Sequence, residues 1–121
     1  MSDLYIGTDI VDVQRIKTSI DNHSAKFINK VFSPEEQDYC NSKSSPEIHY
    51  AGRFAAKEAI IKAIKSSGFD RPFGMKNIVI INYSGGSPYV KLDFKYKGDI
   101  KVSISHTQAH AVAFAILKIN S

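Results

Sequence analysis

The sequence predicts an α+β fold in which an N-terminal strand and helices are followed by an antiparallel β-meander. Two observations predict it. The first half carries apolar residues at helical spacing behind clear helix-start signals, and the second half carries short runs rich in Val, Ile and aromatics separated by glycine turns. A chain of 121 residues fits one domain, residues 1–121, large enough to bury a core without staples and too short for two ordinary domains.

Leu4 to Val11 reads as a short strand, nearly continuous in apolar residues, with both faces expected to be covered. Asp12 then offers an N-cap to a helix marked by Val13, Ile16 and Ile20, which leaves Gln14, Arg15 and Lys17 on polar faces. Ser33-Pro34-Glu35-Glu36 opens a second helix: Ser33 caps, Pro34 takes the first position and Glu36 closes a capping box. Ser45-Pro46-Glu47 opens a third, expected to run to about Lys65 before Ser66-Ser67-Gly68 stops it. The segment from Phe69 to Met75, with Arg71-Pro72, reads as a connecting loop. Asn77 to Tyr83 and Tyr89 to Phe94 form a hairpin around Ser84-Gly85-Gly86-Ser87-Pro88. Lys97-Gly98-Asp99 turns the chain into Ile100 to Ser105, and Ala109 to Leu117 returns after His106-Thr107-Gln108 as a largely buried last strand.

Sixteen Lys and Arg against twelve Asp and Glu give a formal charge of +4, a bias toward anionic partners. Nucleic acid, a nucleotide cofactor and an acidic protein would all respond to it, so the motifs must separate them. Cys40 is the one cysteine, which excludes an internal disulfide and a cysteine metal cluster and agrees with a reducing, cytoplasmic setting. Met1-Ser2-Asp3-Leu4-Tyr5 lacks the basic start of a signal peptide, and no apolar run approaches the roughly 20 residues that span a bilayer, so no membrane is expected.

Chemistry centres on two carboxylates in otherwise apolar elements: Asp9 in the first strand and Glu58 in Arg53-Phe54-Ala55-Ala56-Lys57-Glu58-Ala59. Mg²⁺ needs only one or two protein carboxylates when substrate phosphates complete its octahedron. Phe54, Glu58 and Ile61 share one helix face, with Arg53 and Lys57 as a basic row beside them. Each acid also has a structural reading. Asp9 can bond backbone amides or an arginine, and Glu58 can pair with Lys62 one turn on. His106, in Ser103-Ile104-Ser105-His106-Thr107, can donate to a phosphate, act as a base or cap the turn. His23, His49 and His110 have no metal-cage spacing, and the Gly85-Gly86-Ser87-Pro88 stretch reads as a turn first and a ligand loop second. Neither GxxxxGK[ST] nor GxGxxG occurs, and a serine hydrolase would lack its nucleophile elbow.

Taken in order, Ile6-Gly7-Thr8-Asp9-Ile10-Val11 with Arg15-Ile16, Phe32-Ser33-Pro34-Glu35-Glu36, Arg53-Phe54-Ala55-Ala56-Lys57-Glu58-Ala59 and Ser103-Ile104-Ser105-His106-Thr107 closely resemble the holo-[acyl-carrier-protein] synthase family over nearly the whole chain. The resemblance implies a 4′-phosphopantetheinyl transferase that moves the arm of coenzyme A onto a serine of apo acyl carrier protein, releasing adenosine 3′,5′-bisphosphate. It implies Mg²⁺, with Mn²⁺ as an alternative, on Asp9 and Glu58, and places Lys62 beside them as a catalytic residue. Coenzyme A contacts carry over to Arg53, Phe54, Lys57, Lys62, Gly86, Pro88, His106 and Thr107. The serine proton leaves to metal-associated water or to Glu58, with His106 a further candidate. The resemblance also implies a homotrimer whose groove lies between subunits, and docking of an acidic carrier helix on Arg15 and Lys17. Gln14, where the family often carries a second basic residue, and Lys62-Ala63-Ile64-Lys65-Ser66-Ser67-Gly68, in place of a more glycine-rich helix ending, depart from the pattern. The competing readings are a basic, non-catalytic module for single-stranded nucleic acid, and a transferase acting on a carrier embedded in a larger synthase.

Overall fold

The computed structural model describes residues 2–84 and 86–120. Its elements are β1 (Ser2–Asp12), α1 (Val13–Val31), α2 (Pro34–Asn41), α3 (Pro46–Ser66), a 3₁₀ turn (Met75–Asn77), β2 (Ile78–Asn82), β3 (Pro88–Leu92), β4 (Asp99–His106) and β5 (His110–Asn120). The cap signals act as read. Asp12 accepts from Gln14 N, and Ser33 and Glu36 form the reciprocal capping box with Pro34 at the helix start. Ser45 precedes Pro46 but makes no side-chain cap bond.

The strands do not run as one continuous meander. They divide into a three-stranded antiparallel sheet ordered β1-β5-β4 and a separate two-stranded β2-β3 sheet. β5 is central, so the first strand pairs with the last: Gly7 lies opposite Ala115, and Asp9 opposite Ala113. Tyr83, Ser84 and Gly86 belong to the β2–β3 turn, and Gly86 adopts φ +89°, the left-handed region that glycine enters at little cost. Gly85 of that turn lies outside the described residues.

α3 lies across the larger sheet because its contact face is made small. Ala55, Ala56, Ala59 and Ala63 are fully buried with Ile60 and Ile64, against Ala113, Ala115 and Leu117 of β5 and Ile78 and Ile80 of β2. At Gly7 the approach is closest. A Cβ there would run into the carbonyl oxygen of Ala59 and stand 2.9 Å from Ala63 N, so only glycine lets β1 meet the helix backbone at this distance. Asp9 is thereby carried to the side of α3 two residues along the same strand. A second cluster, with Val13, Ile16, Phe32, Cys40, Tyr50 and Ala111, packs α1 and α2 onto the N-terminal half of α3.

Two burial expectations change. β1 is covered on one face only: Leu4, Ile6 and Ile10 are 60–68% exposed. β5 alternates likewise, with Ala111, Ala113, Ala115 and Leu117 buried while Val112, Phe114 and Ile116 are 39–47% exposed. The apolar runs that read as doubly covered strands have helices on one side and an open apolar face on the other.

Candidate active site: an acidic pocket and a basic pocket

α3 distributes four charged side chains in different directions. Lys57 points inward and is 0% exposed. Its Nζ donates to Glu36 Oε1 at 2.7 Å, to the Val31 carbonyl at 2.6 Å and to the Met75 carbonyl at 3.2 Å. Glu36, 1% exposed, also accepts from Ser33 N (2.9 Å) and, through Oε2, from Ile80 N (2.8 Å). Burial lowers the Lys57 pKa while the Glu36 carboxylate raises it, and burial is the larger effect. The three ammonium donors have acceptors inside the protein, so Lys57 does not join the basic row expected to meet coenzyme A. Glu36 is more than a helix cap: it ties α2 to α3 and to Ile80 in the middle of β2.

Asp9 and Glu58 come together as expected, lining one cavity of about 360 Å³ with Asp12, Arg15, Ser19, Phe27 and Phe54. Lys62 Nζ lies 3.2 Å from Asp9 Oδ1 and 2.9 Å from the Thr8 carbonyl, rather than on Glu58 one turn away. Glu58 has no hydrogen-bond or ion-pair partner among the described residues. The structural readings of the two acids are therefore not what the chain adopts, apart from the Lys62 contact to Asp9. No group of three or more His, Cys, Asp or Glu side chains forms a metal cage among the described residues. Two half-buried, hard oxygen donors with solvent beyond them fit a Mg²⁺ or Mn²⁺ ion that takes its other ligands from phosphate and water. Arg15, expected at a docking surface, also lines this acidic pocket; Lys17 is exposed on the same helix.

A second cavity of about 250 Å³ holds Tyr39, His49, Arg53, Asn82, Gly86, Pro88 and His106. Arg53 is 4% exposed and lies over the Tyr39 ring, 4.0 Å from its centroid. Its Nη2 donates to Asn82 Oδ1, and Asn82 Nδ2 in turn donates to the Gly86 carbonyl at 2.8 Å. The Arg53 Nε–H is buried with no acceptor among the described residues. His106 stands edge-on to His49, ring centroids 5.8 Å apart. Thr107 turns the β4–β5 hairpin: its Oγ1 accepts from Ala109 N and His110 N. Phe54 faces the acidic pocket and packs on Phe27, centroids 6.4 Å apart, so it flanks a different pocket from Gly86 and Pro88.

The sequence reading missed His49, Asn82 and Tyr39. His49 is four residues before Arg53 on α3, a spacing that shares a helix face and could have been noticed. Asn82 and Tyr39 reach the pocket from β2 and α2, and no local pattern marks them.

The 4′-phosphopantetheinyl transferase superfamily model matches residues 5–115. The chain belongs to that superfamily. It is 38% identical over 118 residues to the holo-[acyl-carrier-protein] synthase of Protochlamydia amoebophila, covering 93% of this chain and 96% of that one. It is 44% identical over 112 residues to the synthase of that name from Thermodesulfovibrio yellowstonii, covering 93% and 96%. Among solved structures, the Helicobacter pylori holo-[acyl-carrier-protein] synthase in complex with coenzyme A superposes with TM-score 0.79 at 28% identity, over 93% of this chain and 98% of that one. The Bacillus anthracis synthase, in complex with CoA (3′,5′-ADP), gives TM-score 0.80 at 28% identity over 96% of each chain.

Proposed function

We propose that this protein is a divalent-metal-dependent holo-[acyl-carrier-protein] synthase, one catalytic module that transfers 4′-phosphopantetheine from coenzyme A to a serine of apo acyl carrier protein and releases adenosine 3′,5′-bisphosphate. The observation that carries this reading is the pairing of Asp9 and Glu58 in one pocket, with Lys62 on Asp9, in a chain of this superfamily.

Asp9 and Glu58 would hold Mg²⁺ or Mn²⁺. Held by these two carboxylates, such an ion would supply positive charge to the diphosphate and to the departing adenosine bisphosphate. Lys62 is more than half exposed and adds a positive charge to the same side. Glu58, with no internal partner, has a carboxylate able to take a proton from the incoming serine or to orient the water that does. Arg53, His106, Gly86 and Pro88 in the basic pocket receive phosphate and nucleotide, with Thr107 shaping the adjoining turn. Arg15 and Lys17 on α1 meet the acidic carrier close to the acidic pocket, which brings the serine to the reacting phosphorus.

The assembly we propose is a homotrimer. Ile6 pairs with Ile116 and Ile10 with Val112, and Phe114 lies between these rows on the open sheet face. An apolar stripe of this kind calls for cover by protein, and in a trimer three copies of it would meet around the threefold axis. The acidic and basic pockets share no lining residue within one chain. A shallow depression between them, bordered by Ile10, Ser105, His106, Thr107, His110 and Val112, lies at the edge of that stripe. The groove at the subunit boundary would therefore carry the substrate. The buried free thiol of Cys40 and the carrier substrate fit a cytoplasmic setting, and no described helix is long and apolar enough to cross a membrane.

The deciding experiment is intact-mass spectrometry of apo acyl carrier protein incubated with the protein, coenzyme A and Mg²⁺. A mass gain of one phosphopantetheine arm, abolished by chelator and by Asp9→Ala, is expected. No gain with several carriers, together with Mg²⁺-independent binding of oligonucleotides, would replace the transferase with a nucleic-acid-binding module.

A further inference from the structure

The basic pocket contains a histidine for which the transferase reading has no role. His49, half-buried on α3, presents its ring to the same cavity as Arg53 and His106. The charged and titratable groups around it come from every adjoining element: Tyr39 at 5.9 Å between ring centroids from α2, Lys43 just beyond α2, Glu47 and Arg53 from α3, and His106 at 5.8 Å from β4. Asn82 of β2 closes the cavity. Of these groups only Glu47 is an acid. Burial lowers the His49 pKa first, and the neighbouring His106, Lys43 and Arg53 lower it further against Glu47. A buried arginine with an unused Nε–H and two histidines packed edge to face make a cavity short of an anion.

Coenzyme A has two kinds of phosphate. Its diphosphate belongs with Asp9 and Glu58, because those carboxylates can approach phosphate only through a metal. Its 3′-phosphomonoester, a near-dianion at neutral pH, needs no metal when Arg and imidazolium donors are available. We propose that His49 is a specificity-determining residue of this pocket, donating to the 3′-phosphate beside Arg53 and His106 and taking up a proton as the phosphate binds. The inference rests on the transferase reading and adds a residue and a proton to it. An anion in the cavity reverses the local charge balance, so the bound His49 holds its proton to higher pH than the free one. Binding of the 3′-phosphate then strengthens as pH falls from the bound-state pKa toward the free-state value, which lies below 6.5.

The test is titration calorimetry of the Mg²⁺-loaded protein with coenzyme A and with dephospho-coenzyme A, at pH 6.5 and 8.0, in buffers of different ionisation enthalpy. The wild type is expected to prefer coenzyme A more strongly at pH 6.5, with net proton uptake. His49→Phe keeps a ring between Tyr39 and His106, and should cut that preference about fivefold, the scale of one partly exposed charge-assisted hydrogen bond. It should also reduce the proton uptake and leave dephospho-coenzyme A binding unchanged. His49→Gln, which retains a donor without a proton to titrate, should restore part of the preference but not its pH dependence. Equal weakening of both ligands, or an unchanged preference and uptake in His49→Phe, overturns the proposal while leaving the transferase in place. A wild type that binds neither ligand overturns both readings.

Discussion

Lys57 and Lys62 lie on the same helix and occupy opposite chemical situations. Lys57 is sealed inside the protein with Glu36 and two carbonyls, every donor used. Lys62 is more than half exposed, reaching across to an Asp9 carboxylate that keeps its second oxygen and stands near an unpaired Glu58. The difference separates structural from chemical charge. A satisfied buried pair holds elements in place and has nothing left to offer a substrate, whereas a half-satisfied cluster at a pocket retains ligand capacity.

The largest effect is expected at the buried pair. Lys57→Met should cost about 3–5 kcal/mol of stability, because Glu36 is left as an uncompensated buried charge. Denaturant unfolding reads this loss, and a change below about 1 kcal/mol would show that Lys57 and Glu36 are not sealed as described. Asp9→Asn sits on the other side. It should unfold within about 0.5 kcal/mol of wild type while losing at least about a hundredfold in transfer to apo carrier, equivalent to some 2.7 kcal/mol of barrier. Equal losses of stability in the two variants would erase the distinction.

Gly7→Ala tests what aligns the two clusters. The added methyl meets helix backbone that cannot rotate away, so a stability loss of about 1–3 kcal/mol is expected, accompanied by weaker metal binding as Asp9 shifts from Glu58. Retained metal affinity at lowered stability would separate the packing from the site. The smallest effect concerns a third buried group. Burial pushes the Cys40 thiol up to about 12 from 9.0. Above pH 9 the unfolded chain therefore releases a proton that the folded one keeps, so stability falls as pH rises through the interval up to about 12. Each unit well inside it costs at most about 1.4 kcal/mol. Cys40→Ala should flatten that alkaline slope in urea titrations at pH 8, 9 and 10, and an unchanged slope would assign it to Tyr50, whose pKa burial also raises to about 12.

Much of the fold could be read in the chain. The Ser33 to Glu36 box, the Pro46 helix start and the glycine turns are local signals, each complete within four or five residues, and each lies where expected. Pairing β1 with β5 joins residues 98 to 118 positions apart, and no local pattern encodes it. The apolar runs in β1 and β5 misled for a related reason. Composition reports that a strand face is apolar, and not whether helix, solvent or another subunit lies against it. In the site, Asp9, Glu58 and Lys62 were legible because an acid is conspicuous in an apolar strand and a charge row is conspicuous on a helix. Lys57 was misjudged by the same logic, since a lysine in a basic row looks alike whether its partner is phosphate or a buried glutamate from α2.

By itself the sequence determined the helix starts, the turns, the superfamily and the acids available for a metal, because capping, turn chemistry and motif order act within short stretches of chain. Only the tertiary structure decided which charges are buried, that Lys62 reaches Asp9 instead of Glu58, and that His49 joins Arg53 and His106 in one cavity. These outcomes depend on how α3 crosses the sheet at Gly7, a backbone approach set by packing between distant segments rather than by any neighbour in sequence.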